Sequence, residues 1–284
     1  MSIYIHLFIA SLFWGLNVIV MKILLNEIPF LFLASLRVLL SCLCLYFYMK
    51  VKHIHREKIE ISHVLMISLF GIYLNFFFTF CGMQSVKGVD NALINALSPS
   101  ITLLISFFVL RNHLTKNEII GVILSLFAFC LSIHFQFLSL KLGFYFMLLG
   151  SLCYMISHIY IQKNKLSHSF SLVFYQLLLG FLFLLIHALF LNQVNLSIFY
   201  HISFFYWILF IIISGIGFAY IQVIYMKAVN SIGALKTSFF LSFNPIITYI
   251  GSLLFLNEKI DYLHIVSFII LIISIVLANH SKNN

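Results

Sequence analysis

Residues 202–226 read ISFFYWILFIIISGIGFAYIQVIYM, a run of 25 residues that contains no Asp, Glu, Lys or Arg. A helix needs about 20 apolar residues to cross the hydrocarbon core of a bilayer. A run of this length and composition therefore predicts a transmembrane helix. Because the run shows no alternation with a period of two, it argues against a strand of a membrane β-barrel.

The rest of the chain has a similar composition. Of its 284 residues, 63% are apolar and only 8% are charged, whereas a soluble protein carries about 25% charged residues. So few charges cannot form a water-facing surface, so the outer surface must face lipid. Successive apolar runs predict an all-α membrane protein with ten transmembrane helices and short loops. The predicted spans are 3–25, 30–49, 63–83, 88–110, 118–137, 143–162, 170–191, 202–226, 233–256 and 262–279.

The basic residues are divided unevenly between the two ends of the predicted spans. Eleven of the 16 Lys and Arg residues lie on one side and three on the other, while Lys22 and Arg37 lie within spans. Lys and Arg collect on the cytoplasmic side of a membrane. The sequence therefore predicts cytoplasmic N- and C-termini. It also predicts no nucleic-acid partner in spite of the net charge of +9.

Part of the sequence is repeated. Residues 82–115 and 228–261 align with a constant offset of 146, and Pro99 then matches Pro245. Internal repeats at a fixed offset indicate duplicated structural units.

A second, weaker match joins residues 11–22 to residues 151–162 at an offset of 140. The chain then divides into two repeats of five helices, 1–137 and 138–284. Five is an odd number, so the repeats have opposite orientations in the membrane. Inverted repeats are common in secondary transporters, where the substrate site lies near the midplane between them.

Several short motifs occur in a characteristic order. WGLN at 14–17 precedes Lys22 and Arg37, SPSIT at 98–102 ends a segment rich in small residues, and NPIIT occurs at 244–248. LFLNEKID follows at 254–261. In these features the chain resembles the EamA-type transporters of the drug/metabolite transporter superfamily.

This resemblance implies ten helices in the inner (plasma) membrane, alternating access and export of small metabolites, often amino acids or related compounds. One departure concerns the loop after the fourth span. The family often has Glu there and after the ninth span, but here Glu258 is matched by Asn112. The role of Asn112 is therefore open.

The fourth predicted span carries a polar stripe. Its members follow one another at intervals of three or four, which keeps them on one helix face: Asn91, Asn95, Ser98, Thr102 and Ser106. Asn244 is a counterpart in the ninth span. Polar residues within the membrane face protein or a water-filled cavity. We therefore expect Asn95 and Asn244 to bind substrate. The alternative is interhelical hydrogen bonding, at about 0.6 kcal/mol per pair.

Other candidates combine aromatic rings with amide or imidazole groups. Such walls suit an amino acid or an amphipathic amine, because stacking and cation–π contacts contribute about 0.5–2 kcal/mol each. Ordinary packing is the alternative for each of them. The candidate residues are Trp14, Asn17, Tyr73, Tyr154, His158 and Gln222.

Two prolines and two cations allow more than one interpretation. Pro99 and Pro245 lie within predicted spans, where each kinks its helix, and their symmetric positions favour hinges for alternating access. Lys22 and Arg37 either snorkel to the membrane interface or contact an anionic group of the substrate.

The leading hypothesis is a secondary transporter for a small-molecule substrate in a lipid environment. The alternative is a carrier or flippase for a nucleotide-linked or lipid-linked sugar. A membrane-embedded enzyme is least supported, because HExxH, GxSxG and paired aspartates are missing from the sequence. No catalytic residue, cofactor or metal site is predicted, since the five cysteines form no CxxC pair. The sequence does not fix the oligomeric state.

Overall fold

The computed structural model describes residues 3–110, 115–132, 134, 141–166, 169–241, 244–256 and 261–280. Regular structure in these residues is helical throughout, without any strand, which confirms the all-α prediction. Asn112 and Glu258, the pair that departs from the family pattern, lie outside the described residues.

We number the helices of the described chain in order. They are α1 (Ile3–Leu24), α2 (Phe30–Val51), α3 (Ile61–Met83), α4 (Gly88–Ala96), α5 (Ser98–Leu110), α6 (Lys116–Ser132), α7 (Leu142–Lys163), α8 (Ser169–Phe190), α9 (Ile198–His201), α10 (Phe204–Ile232), α11 (Ala234–Leu241), α12 (Asn244–Phe255) and α13 (Tyr262–His280).

Seven helical segments of the described chain are long and apolar enough to cross a membrane: α1, α2, α3, α7, α8, α10 and the joint segment Asp90–Val109. Large apolar side chains cover the outer surface, including Phe108, Phe190 and Phe204, which are 75%, 81% and 78% exposed. Such a surface is stable against lipid and not against water. The chain is a multi-pass membrane protein.

The other three predicted spans contain helices that do not count, over the described residues, as long and apolar enough to cross a membrane. The span predicted at 118–137 contains α6, with 17 residues, and the span at 233–256 contains α11 and α12, with 8 and 12 residues. The last span, at 262–279, contains α13. The total of ten transmembrane helices therefore stays a prediction.

One of the predicted spans is interrupted within the described chain. Leu97 separates α4 from α5, and Pro99 is the second residue of α5, although its side chain lies outside the described part. The sequence predicts a kink in a continuous span at Pro99. The structure instead begins a new helix there, because a proline lacks the N–H that the first helical turn leaves unbonded. Residues 242 and 243, between α11 and α12, lie outside the described part, so the kink at Pro245 stays a prediction.

Helices α3 and α10 each contain a π-helical segment, at Leu69–Leu74 and Phe210–Gly217. A π turn holds more residues than an α turn, so it rotates the helix that follows, and such segments often occur near functional sites. In α3, Phe76 and Phe80 are consequently buried, while Tyr73 stacks on Phe77 with ring centroids 6.4 Å apart.

The packing brings the two predicted repeats together. Helix α1 packs against α10 and α12, α2 against α8 and α10, α3 against α7, and α6 against α13. Helix α4 packs against α12, and helix α5 packs against α11. A Cβ atom at Gly15 would lie 2.6 Å from Cβ of Ile247, so only glycine allows α1 to approach α12 this closely.

Candidate substrate site

A small cavity lies where α4, α5 and α12 meet α1, α2, α3 and α7. Its volume is about 50 Å³. Apolar groups of Val18, Met21, Phe76, Phe80, Met83 and Met155 form part of its lining. The remaining lining residues are polar, charged or amphipathic: Trp14, Asn17, Arg37, Asn75, Thr79, Asn91, Asn95, Ser98, Ser151, Tyr154 and Asn244. Small-molecule sites combine apolar groups with polar groups that fix the orientation of the ligand, and both kinds are present here.

The cavity collects five of the eight residues that the sequence proposes for substrate binding. They are Trp14 and Asn17 on α1, Asn95 on α4, Tyr154 on α7 and Asn244 on α12. Both predicted repeats therefore contribute to one cavity. Ser98 is the first residue of α5, so one helix N-terminus, which favours negative charge, also reaches it.

The other three proposed residues lie outside the cavity lining. His158 is buried next to it, with its ring centroid 4.3 Å from that of Tyr154. Gln222 is buried on α10, and its Nε2 atom has no hydrogen-bond partner among the described residues. Tyr73 lies further away, because its hydroxyl is 3.1 Å from Nδ1 of His187 on α8.

Aromatic rings extend from the cavity into α10. The ring centroid of Trp14 lies 5.3 Å from that of Tyr154 and 5.9 Å from that of Tyr225. His158 and Tyr225 are 5.7 Å apart. Rings at these distances pack favourably, at about 0.5–1.5 kcal/mol per pair beyond area burial. They hold Trp14 and Tyr154 in fixed positions at the cavity wall.

Arg37 is the cation of this cavity. Its side chain is only 6% exposed, so the structure excludes snorkelling. Its Cζ atom lies 4.1 Å from the ring centroid of Phe218 and 4.6 Å from that of Phe76. Within the described chain, no Asp or Glu forms an ion pair with Arg37.

Lys22 has a different environment. Its Nζ atom donates to the carbonyl oxygen of Met83 at 2.6 Å and also to that of Val86. These carbonyls belong to the end of α3 and the turn after it, where cationic side chains commonly satisfy free carbonyl groups. The side chain thus connects α1 to α3.

Four buried polar atoms on the cavity lining have no hydrogen-bond partner in the described chain: Nε of Arg37, the hydroxyl of Tyr154, and the amide oxygens of Asn17 and Asn244. A buried polar group left without a partner costs about 1–3 kcal/mol. Such groups are rare in folded proteins and call for an explanation. Here two residues offer donors and two offer acceptors around the same cavity, which is the arrangement of a ligand site.

The remaining polar groups of the cavity are partly satisfied. Asn95 Nδ2 donates to Asn91 Oδ1 at 2.8 Å, and Asn75 Nδ2 donates to the carbonyl oxygen of Gly150 at 2.9 Å. Asn91 belongs to the polar stripe recognised in the sequence. Asn75 carries no comparable signal, because the π segment before it rotates α3.

A second cavity, of about 530 Å³, lies between α1, α2, α8 and α10. Most of its lining is apolar, with Leu45, Ala219 and Val223 among the buried residues. Its polar groups include His6, Tyr220 and Lys227. His6 Nδ1 lies 2.6 Å from the hydroxyl of Tyr220, and Lys227 Nζ lies 4.3 Å from the ring centroid of Phe170.

These observations define a helical membrane protein with a cavity in its interior that polar side chains help to line. Residues 1–133 and 141–280 match the model of the EamA-like transporter family. The chain belongs to this family, which lies within the drug/metabolite transporter superfamily. Membership of this family indicates that the protein is a transporter rather than an enzyme.

One relative in sequence and one solved structure of similar fold are also found. The "Uncharacterized transporter YetK" of Bacillus subtilis (strain 168) is 28% identical over 131 residues, which span 44% of this chain and 39% of that protein. A solved structure described as "Crystal structure of protein" superposes with a TM-score of 0.74. It is 13% identical and covers 100% of this chain and 97% of its own, so this likeness concerns the fold alone.

Proposed function

We propose that the protein is a secondary transporter that exports small metabolites, namely amino acids or related amines, across the inner (plasma) membrane by alternating access. One observation carries the proposal. Donors and acceptors without a partner in the described chain meet at a single cavity, and they belong to Arg37, Tyr154, Asn17 and Asn244. A zwitterion satisfies both kinds of group at once.

The proposed architecture has ten transmembrane helices in two inverted repeats, 1–137 and 138–284, with both termini in the cytoplasm. One pair of helix boundaries supports it. Helices α4 and α11 begin 146 positions apart, which is the offset of the repeated sequence.

The charges of the cavity favour a substrate with a carboxylate. Arg37 has no carboxylate partner in the described chain, and an uncompensated buried cation is costly. A substrate carboxylate supplies that partner through charge-assisted hydrogen bonds. The N-terminus of α5 adds to the attraction, as half-helices do in other transporters.

The other end of the substrate requires acceptors. An ammonium group donates three hydrogen bonds. The amide oxygens of Asn17 and Asn244, which have no hydrogen-bond partner in the described chain, accept them. Trp14 and Tyr154 offer aromatic faces that attract a cation. This distribution favours an amino acid or a related amine over a substrate that carries only negative charge.

The size of the cavity indicates a closed conformation. Small-molecule sites usually enclose about 300–1,000 Å³, whereas this cavity has about 50 Å³. A metabolite therefore enters only after the surrounding helices separate. We propose that Pro99 and Pro245 act as the hinges for this movement, because a proline interrupts the backbone hydrogen bonding of its helix.

A second candidate is a carrier or flippase for a lipid-linked or nucleotide-linked sugar. The observation that favours it is the 530 Å³ cavity, whose apolar wall suits an acyl or isoprenoid chain and whose Lys227 suits a phosphate. This cavity and the central one share none of their lining residues, so variants separate the two functions.

The test is efflux from proteoliposomes loaded with a panel of labelled amino acids and amines. We expect selective flux that Trp14→Ala and Asn95→Ala reduce at unchanged expression. Trp207→Ala is the matched control, since Trp207 stacks on Phe199 outside the cavity. Flux that both cavity variants leave normal would refute the site. A panel without flux, together with Lys227-dependent movement of a labelled lipid-linked sugar, would favour the second candidate.

A further inference from the structure

Two histidines and two aspartates meet at one end of the helix bundle. Asp90 lies in the first turn of α4, His134 follows the end of α6, and Asp261 and His264 lie at the start of α13. None of the four lines the central cavity. The proposed function leaves this cluster without a role.

The distances within the cluster are those between ligands of one metal ion. His134 Nε2 lies 3.1 Å from Asp261 Oδ2, and both atoms are candidate ligands. His264 Nε2 lies 3.2 Å from Asp90 Oδ1, which leaves Nδ1 of His264 as its candidate ligand atom. Ligands of tetrahedral Zn²⁺ at its usual bond lengths are about 3.4 Å apart. One ligand atom each from His134, Asp261 and His264 lie within 4.8 Å of one another, so rotamer changes at the ends of these side chains suffice to bring them together.

The chemical types of the ligands agree with the geometry. Two imidazoles and one carboxylate form a common ligand set for Zn²⁺ and similar divalent transition metals. His264 also has a buried Nδ1 atom without a hydrogen-bond partner in the described chain. Its other ring nitrogen contacts Asp90, and a carboxylate behind a metal-binding histidine fixes the orientation of the ring.

Charge and access favour a cation here. Asp90 and Asp261 place two carboxylates together in a chain whose net charge is +9. The side chains of His134 and Asp261 are 42% and 37% exposed, whereas those of His264 and Asp90 are 14% and 17% exposed. An ion reaches the cluster from solvent and then meets the more buried pair.

We propose that His134, Asp261 and His264 bind one divalent transition metal ion of the Zn²⁺ class, with Asp90 orienting His264. The ion joins the beginning of α4, the end of α6 and the beginning of α13. Because α4 also carries Asn91 and Asn95, the bound metal restrains a helix that lines the cavity. The CxxC criterion does not detect this site, since its three ligands come from two separate segments of the chain and include no cysteine.

The experiment is a titration of the purified full-length protein in detergent, stripped of metal, with ZnCl₂ and separately with MgCl₂. Calorimetry measures binding, and thermal unfolding measures stabilisation. We expect saturable binding of Zn²⁺ but not Mg²⁺, together with a higher melting temperature. His134→Ala and His264→Gln remove both effects, and Asp90→Asn weakens binding by roughly tenfold.

His63→Ala is the matched control. His63 also lies near a carboxylate, with Nε2 3.7 Å from Glu60 Oε2, and it contacts the hydroxyl of Tyr160, but no second histidine joins it in a metal-binding group of the described residues. This variant should bind Zn²⁺ as the wild type does.

A second measurement covers variants that fail to fold. Diethyl pyrocarbonate modifies accessible histidines of the wild-type protein, and mass spectrometry identifies them. Zn²⁺ should protect His134 and His264 but not His63. The proposal is overturned if Zn²⁺ protects neither of the two histidines, or if His134→Ala and His264→Gln bind Zn²⁺ with wild-type affinity.

Discussion

The Cζ atom of Arg37 lies 4.1 Å from the ring centroid of Phe218, a contact that joins α2 to α10. The same atom lies 4.6 Å from the ring centroid of Phe76 on α3. Cation–π contacts away from water contribute about 2 kcal/mol or more, but they leave the N–H groups at the edge of the guanidinium available. Arg37 is thus fixed in position and still able to bind an anion.

Replacement of Arg37 should separate binding from stability. In Arg37→Met we expect affinity for an amino acid to fall by roughly 10- to 100-fold, because a hydrogen bond to a charged group contributes about 1.5–3 kcal/mol. The melting temperature should stay the same or rise, since Met removes a buried charge that has no counterion in the described chain. Equilibrium binding and thermal unfolding of the purified protein measure the two effects.

Arg56→Met is the control for this variant. Arg56 also lies over two rings, 5.3 Å from the centroid of Phe174 and 5.8 Å from that of Tyr46, but it is exposed and outside the cavity. Its replacement should leave binding unchanged. Equal losses of affinity in the two variants would contradict an anion-binding role for Arg37.

The hydroxyl of Tyr154 is expected to serve the substrate and not the fold. Tyr154→Phe removes a buried polar group without a partner in the described chain, so stability should not fall. Affinity for the substrate should fall by roughly 2- to 10-fold, because one hydrogen bond contributes about 0.5–1.5 kcal/mol. Competition binding with the amino acid that gives flux measures this loss.

Tyr225→Phe distinguishes the cavity from its surroundings. Tyr225 is also buried with an unpartnered hydroxyl in the described structure, yet it does not line the cavity. We expect wild-type affinity from this variant. If Tyr225→Phe weakens binding and Tyr154→Phe does not, the substrate lies on the α10 side of the aromatic cluster.

The sequence predicts those parts of the fold that depend on local composition. Apolar runs without charge locate the helices, since crossing a bilayer requires length and hydrophobicity alone. The polar stripe and its counterpart identify Asn95 and Asn244, and both line the cavity, as does Ser98 at the position that matches Asn244 in the repeated sequence. Trp14, Asn17 and Tyr154 follow from their positions on helices that align in the weaker repeat.

Other features depend on packing between distant segments. Arg37 lies in the interior because α2 packs against α3 and α10, and a single helix does not contain that information. The π segment Leu69–Leu74 turns Tyr73 toward His187 and Phe76 toward the cavity, which a constant helical period of 3.6 residues does not predict. His134 and His264 are 130 positions apart, so spacing alone does not connect them.

Gly15 should be intolerant of any side chain. In Gly15→Ala the new Cβ atom would meet Ile247 Cβ at 2.6 Å and the carbonyl oxygen of Asn244 at 3.0 Å. Helices α1 and α12 must then separate, which costs about 1–3 kcal/mol. We expect a lower melting temperature and reduced transport, because Asn17 and Asn244 move apart.

Gly215→Ala is the matched substitution at a roomier site. Gly215 is also buried in a helical segment, but its new Cβ atom would meet nothing nearer than Leu40 Cβ at 3.4 Å. Stability should change by less than about 0.5 kcal/mol. Comparable melting temperatures for both alanine variants would show that the α1–α12 approach is not as tight as the structure has it.

Pro245 provides the test of the proposed hinge. Alanine supplies the backbone N–H that proline lacks and favours a continuous helix at this position. In Pro245→Ala we expect transport to slow by roughly tenfold, which corresponds to about 1.4 kcal/mol in the barrier between the two orientations. Affinity should change little, because Asn244 keeps its side chain. Initial rates of efflux and equilibrium binding, measured on the same preparation, separate these two quantities.

Pro29→Ala is the comparison for this hinge. Pro29 is the N-cap residue of α2, with φ −55° and ψ 138°. It precedes the predicted span 30–49, whereas Pro245 lies within its predicted span. Its replacement should leave the rate of transport unchanged. A Pro245→Ala variant that transports at the wild-type rate would mean that the hinge of the movement lies at another position. A proline that serves only packing does not limit alternating access.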